Sequence, residues 1–409
     1  MRRYLAAALA ITAIAGCGGH STTKKTMLIA VNAPFSVQSA RGDAIANGVE
    51  LAASQINSSG GVSAGGEVYT VRVKRYDDGL SSRAAVANVR HAIADGASAI
   101  VDEGTGVDAS WQLARKADIP IVVTYEGGSG LVDPVARPNV FRIAPDDHGI
   151  SFRFAEYLAK RHLRLGVLHD DSEYGLAGAA AIDTAFAYDP RAVVARIEVP
   201  QAATDLAAAI LRARHAGATG LIVWAQPPAI AAAVRAARRS GWKVPVFAPP
   251  DAADPFVRQE LSDHPGWLNG LTFADGRMTA EIGPGPFDAY VDAYDSAYGP
   301  PKVGVKTEAR EEVIGLPEYS MYASDALNLL AAAVTRAGGI DDKAKILRAL
   351  NEVTIRGANG DDRGFNRANH EGVIDDDIYF AQFHDMTYQP VHDDPLSSTL
   401  PVLTQVRGS

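Results

Sequence analysis

Residues 69–101 read YTVRVKRYDDGLSSRAAVANVRHAIADGASAIV. Tyr69, Val71 and Val73 alternate with Thr70, Arg72 and Lys74, a period of two that predicts a half-exposed strand. Ser81 is placed to start a helix that carries Val86, Val89 and Ile93 on one face and stops at Gly96. Ala99 to Val101 then forms a short apolar strand. Upstream, a strand at Leu28–Val31 leads through a loop, Asn32–Gly42, to a helix that Asp43 can cap and whose Ile45, Val49, Ala52 and Ile56 follow helical spacing. Downstream come a helix through Trp111 and Leu113 and a strand at Ile119–Thr124. The order β-α-β-α-β is that of a parallel sheet covered by helices on both faces.

The pattern then restarts. A helix over Ile150–Arg161 precedes strands at Leu165–His169, Ala192–Val199, Gly220–Trp224 and Val244–Phe247, separated by helices at Gly175–Phe186, Asp205–His215 and Ala229–Ser240. Two such arrays predict an α/β fold of two doubly wound, Rossmann-like lobes, with the extended segment Asn139–Asp147 connecting them. Helices at Phe287–Tyr298, Tyr322–Ala337 and Lys343–Val353 and a final strand at Ile378–Phe383 must complete both lobes, so several crossings between them are expected. The expected division is 27–145 plus 275–356 for the first lobe and 146–274 plus 357–409 for the second.

With 409 residues, 47% hydrophobic and 21% charged, the chain has the composition of a folded globular protein rather than a disordered one. A net charge of −9 without a basic block excludes nucleic acid as a natural partner. At the N-terminus, Arg2 and Arg3 precede an apolar run, Tyr4–Ile14, which is too short to span a bilayer but suits a secretory signal over residues 1–16. The run ends in Ile14-Ala15-Gly16-Cys17, similar to a bacterial lipobox, and Cys17 is the one cysteine of the chain. Lipid attachment at Cys17, a polar tether over 17–26 and an extracytoplasmic protein anchored to the membrane surface are therefore expected.

The words GDAIANGVELAASQINSSGG (42–61), VKRYDDGLS (73–81), VLHDDSEYGLAG (167–178) and SMYASDALNLLAAAVTRAGGIDDKAKILRAL (320–350), in this order behind a lipobox, resemble the type I periplasmic solute-binding proteins of ABC transporters. The branched-chain amino-acid (Leu/Ile/Val) group is the nearest likeness. The resemblance implies a multi-strand hinge, a monomer, and a small polar solute such as an amino acid held between the lobes and passed to a permease and ATPase. Ligands of open α/β sheets collect at the loops beyond strand C-termini, which points to the same place. Here those loops are Pro34–Gly42, Glu103–Asp108, Tyr125–Gly130, Ser172–Gly175, Ala225–Pro228 and Pro249–Asp254.

Carried over residue by residue, Thr105 and Gly106 match the loop that holds a ligand carboxylate, and Tyr125, Glu126 and Gly127 match the next loop of the first lobe. Tyr174 matches a second-lobe tyrosine that closes over the ligand, and Gln226 stands where the family often has another aromatic residue. Asp251 falls where an acidic residue meets the ligand ammonium, and Arg41 and Tyr319 are further lining candidates. One departure is chemical. The loop that usually ends in Thr or Ser reads Tyr125-Glu126-Gly127-Gly128, and Glu126 beside Asp251 would repel an anionic head group, favouring an amide or a cationic solute unless Arg41 neutralises the pair.

No Gly-x-Ser-x-Gly elbow, Walker loop or His-Glu-x-x-His motif is present, so no enzyme is expected. No cofactor or metal is expected either. His169-Asp170-Asp171 ends a strand, where adjacent side chains point to opposite faces, and Asp361-Asp362 and Asp375-Asp376-Asp377 lack the spacing of a calcium loop. Within the same fold, a surface sensor for amides or amino acids that reports occupancy without transport is the alternative to an importer component.

Overall fold

The computed structural model describes residues 25–128, 130–276, 286–299, 304–306, 311–313, 318–373 and 378–399. The expected signal peptide, Cys17 and residues 375–377 lie outside them. Lys25 and Thr26, expected in the tether, belong instead to the first strand, where they pair with Tyr69 and Thr70.

Strands β1 (Lys25–Ala33), β2 (Val62–Ala64), β3 (Glu67–Asp77), β4 (Ala99–Asp102), β5 (Ile121–Val123) and β6 (Val140–Arg142) form one sheet in the order β2-β3-β1-β4-β5-β6. All neighbours run parallel except β2, a hairpin return on β3. Alternation sets the two faces. Ile29 and Val31 pack in the core beneath α1 (Ser39–Ser58), while Ala30 and Ile100 pack with α2 (Ser82–Ala94) and α3 (Val107–Lys116) on the other side. Ser81 caps α2 as expected, its side chain accepting from the Ala84 amide. Helix α1 begins four residues before Asp43. Its N-cap position, Gln38, makes no side-chain cap, and Asp43 accepts instead from Arg75 Nη1 at 2.9 Å.

The second sheet contains β7 (Leu165–Asp170), β8 (Val193–Val199), β9 (Gly220–Trp224), β10 (Val246–Ala248) and β11 (Leu271–Gly276). Helices α4 (Asp147–Ala159) and α5 (Glu173–Ala185) cover one face of it, and α6 (Ala207–His215), α7 (Pro227–Arg239) and α8 (Pro255–Glu260) the other. The chain then returns to the first lobe. Helices α9 (Pro286–Tyr298), α10 (Glu318–Ala337) and α11 (Lys343–Leu350) bring Tyr290, Met321, Leu327, Leu330 and Ile346 into the core with Ile45 and Val49 of α1. Two short ribbons, β12 (Gly304–Lys306) with β13 (Glu311–Val313) and β14 (Thr354–Arg356) with β15 (Asp362–Gly364), flank these helices in sequence. Strands β16 (Ile378–His384) and β17 (Thr387–Pro390) finish the second sheet, whose order is β17-β16-β11-β10-β9-β7-β8. Both β11–β16 and β16–β17 are antiparallel pairs.

The chain thus passes between the two sheets three times: after β6, after β11 and before β16. The third pass lies later than expected. The expected division puts residues from 357 in the second lobe, yet Phe365 and Val373 are buried in the first-lobe core, so the return falls after Val373. Arg142, at the end of β6, ties the first and third passes together. It is 2% exposed and donates to both carboxylate oxygens of Glu371, Nη2 at 2.6 Å and Nε at 2.8 Å, while Nη1 reaches the Glu126 and Gly128 carbonyls at 3.3 and 3.1 Å.

Candidate functional site

Each lobe fixes its loops with a buried aspartate at a strand end. Asp102 closes β4, accepting from Asn32 Nδ2 at 3.0 Å and from the Gly104 amide at 2.8 Å. Asp170 closes β7, accepting from the Ser172 hydroxyl and amide and, at 2.7 Å, from the Gln226 amide. It therefore anchors both loops that carry Tyr174 and Gln226. Asp170 is fully buried and organises backbone; among the described residues no group of three His, Cys, Asp or Glu side chains could hold a metal ion.

The loops meet between the lobes around Asp251, which accepts hydrogen bonds from the hydroxyls of Tyr125, from the first lobe, and Tyr174, from the second. Asp251 lies in a 3-10 turn, and the capping role beside it belongs to Asp254, which accepts from the Phe256 amide at 2.8 Å and starts α8. The Tyr319 hydroxyl donates to Asp254 at 3.3 Å, and its ring meets Tyr125 edge to face with centroids 5.3 Å apart. Arg41 is 1% exposed. Its Nη2 donates to Gln226 Oε1 at 2.8 Å, its Nη1 lies 3.6 Å from Glu103, and its guanidinium sits 3.8 Å above the Tyr125 ring. Ser82 donates to Glu173 at 3.2 Å, a further contact between the lobes.

Two chambers lie on either side of this clasp, and Tyr125 and Tyr174 line both. The inner one, about 30 Å³, is bordered by Asp147, Asp251, Asp254, Glu318 and three further tyrosines, Tyr319, Tyr322 and Tyr388. The outer one, about 150 Å³, is bordered by Glu103, Thr105, Glu126, Glu173 and Gln226. Seven carboxylates therefore line the chambers, against one lining arginine, Arg258.

Of the expected residues, Arg41, Tyr125, Tyr174, Gln226, Asp251 and Tyr319 converge at the clasp, and Thr105 and Glu126 line the outer chamber. Gly127 and Gly106 act through the backbone. A Cβ on Gly127 would lie 2.2 Å from Asp147 Oδ1, and the Gly127 carbonyl accepts from the Asp147 amide at 2.7 Å. Gly106 takes φ 72° to enter α3 and lines neither chamber. Sequence reasoning missed Glu103, Asp147, Asp254 and Glu173. Asp147 is 1% exposed and its Oδ2 has no hydrogen-bond partner, which no residue spacing reveals because it depends on β6 delivering α4 beside the Tyr125 loop.

Burial governs the electrostatics. It raises Asp251 to about 6, against the opposing pull of Arg41 and the two tyrosine hydroxyls. It also pushes Glu126 and Asp147 well above the usual carboxylate range, Glu126 with the added repulsion of Glu103. Behind the outer chamber Asp102 rises to about 7 and Asp78 to about 8, again chiefly by burial, with Glu103 adding repulsion. An unfolded aspartate titrates near about 4, so between that value and about 8 the folded protein binds more protons than the unfolded chain. Stability is present below the unfolded value and falls as pH rises through the folded ones. The melting temperature of the empty protein is expected to drop between about pH 6 and about pH 8, and a flat or rising circular-dichroism melting profile would contradict this.

Comparison with known proteins matches the periplasmic binding protein family model to residues 26–387. The chain belongs to the periplasmic binding protein family. Among curated relatives, the Leu/Ile/Val-binding protein homolog 3 of Brucella melitensis is 24% identical over 343 residues, 82% of this chain and 86% of the relative. The fold is shared with a type 1 periplasmic binding protein from Bordetella pertussis (TM-score 0.79, 21% identity, 90% of this chain and 100% of the other). It is also shared with the branched-chain amino acid transporter substrate-binding protein of Streptococcus pneumoniae in complex with isoleucine (TM-score 0.73, 20% identity, 89% and 98%). A Rhodopseudomonas palustris solute-binding protein in complex with benzoate has the same fold (TM-score 0.73, 17% identity, 90% and 95%). The chain is accordingly a solute-binding protein of the type I fold, not an enzyme, and its family works outside the cytoplasm. Among the described residues no helix is long and apolar enough to cross a membrane.

Proposed function

We propose that this binding protein captures a small polar solute, an amino acid or related compound, in the cleft between its lobes and delivers it to an ABC permease and ATPase. In this reading it works as a monomer, in two lobes joined at the three passes, tethered to the outer face of the membrane by lipid on Cys17. The observation that carries the reading is Asp251 accepting from one tyrosine of each lobe, because a group that contacts both lobes couples occupancy to closure. The curated relative's name and the isoleucine complex of the same fold support an amino-acid-like solute. Thr105, Tyr125 and Glu126 would first hold the solute on the first lobe, with Arg41 and Tyr319 behind them. Tyr174, Gln226 and Asp251 would close from the second lobe. Gly106 and Gly127 shape these loops.

Two measurements test it. A thermal-shift screen over amino acids, amides, amines and aromatic acids identifies a solute, since binding at a hundred times Kd adds about 2.7 kcal/mol. Small-angle scattering at saturation then shows compaction, whereas superimposable empty and saturated profiles rule out closure. For the anchor, cells fed labelled palmitate are expected to label the wild type and not Cys17→Ser. Label retained by the variant removes the lipid from the proposal.

A further inference from the structure

We propose, resting on the capture reading above, that the solute is an aliphatic diamine or guanidino-amine without a carboxylate, one cationic end in the inner chamber and the other in the outer. The inner chamber is the first argument. At about 30 Å³ it admits a group of water or ammonium size. Asp147 borders it, is 1% exposed, and has no hydrogen-bond partner at Oδ2, which is costly to leave unmet at that depth. Asp251 and Asp254 add further carboxylates to its lining, beside Tyr125, Tyr174 and Tyr319.

The outer chamber is the second. Its about 150 Å³ accommodates a short chain, and its lining includes Glu103 and Glu126 from the first lobe and Glu173 from the second. An anionic head group meets no lining cation in the outer chamber, and the one arginine that lines the inner chamber, Arg258, donates to the Ala253 carbonyl at 3.3 Å and lies over the Phe383 and Tyr388 rings. Arg41 borders neither chamber. Although its Nε and Nη1 lack hydrogen bonds, its face is covered by Tyr125, Nη2 is held by Gln226, and Nη1 faces Glu103. Burial already strains Glu126 and Asp147 toward their neutral forms in the empty cleft, and an entering cation relieves that strain.

The test is titration calorimetry on the mature protein at pH 8 with putrescine, agmatine, L-leucine and benzoate as probes. Putrescine or agmatine is expected to bind, with leucine and benzoate silent. Glu126→Gln and Asp147→Asn, which keep shape and remove charge, are each expected to weaken amine binding about tenfold or more, while the empty variants melt no lower than wild type. Binding of leucine or benzoate without either amine overturns the inference and leaves capture standing. Amine binding unchanged in both variants overturns the assignment of the two chambers. Silence from all four probes overturns the inference too, while capture is judged separately by the wider screen and scattering.

Discussion

Arg41→Ala is expected to destabilise the empty protein by about 3–5 kcal/mol, because removing one partner of a buried pair leaves the other charge without compensation. Glu103 is 2% exposed, shares the outer chamber with Glu126 and Glu173, and beyond Arg41 accepts from the Thr105 amide at 3.1 Å. The loss extends to Gln226 Oε1, which accepts from Arg41, and to the Tyr125 ring, on which the guanidinium lies. Urea unfolding measures the change. Combining Arg41→Met with Glu103→Gln should recover most of it, since both charges then leave together and the methionine keeps the stem packed. A loss below about 1 kcal/mol in the single variant would mean that the pair behaves as an exposed one.

Asp251→Ala is expected to weaken solute binding about 30-fold or more, from the loss of a charge-assisted hydrogen bond inside a closed cleft, roughly 2–5 kcal/mol. The structure changes how the variant must be read. Asp251 and Tyr174 are each 4% exposed and hydrogen-bonded to each other, so truncation also removes a contact of the empty closed form. Asp251→Asn separates the two effects, keeping an acceptor for one tyrosine while removing the charge. Calorimetry showing wild-type affinity in both variants would remove Asp251 from recognition.

The fold was legible because its strands are short apolar runs bounded by caps and glycines. Ile121–Val123 and Gly220–Trp224 are buried at every position, as strands covered on both faces must be. Two errors have local causes. Asp43 has the chemistry of a cap, but α1 starts earlier, at Ser39, without a side-chain cap, and Asp43 inside the helix pairs with Arg75. The late return after Val373 gives no periodic signal, because Phe365 and Val373 are single apolar residues in loop-like sequence whose burial depends on α10 and α11. At the site, Tyr125, Tyr174, Asp251 and Tyr319 came from the family resemblance, and the clasp they form depends on loops more than a hundred residues apart. Asp147 reads as the end of the connecting segment and Asp254 as the end of a loop; the structure puts them at the starts of α4 and α8, where both border the inner chamber.

The fork between Arg142 and Glu371 has a consequence for redesign. The same guanidinium that binds the returning pass also grips the carbonyls of Glu126 and Gly128. Transplanting residues 125–128 from a relative would therefore import a recognition loop without its mounting. A graft that carries positions 142 and 371 along with the loop moves a complete mechanical unit, so exchanging specificity between members of this fold becomes a matter of swapping three separated pieces of chain rather than one.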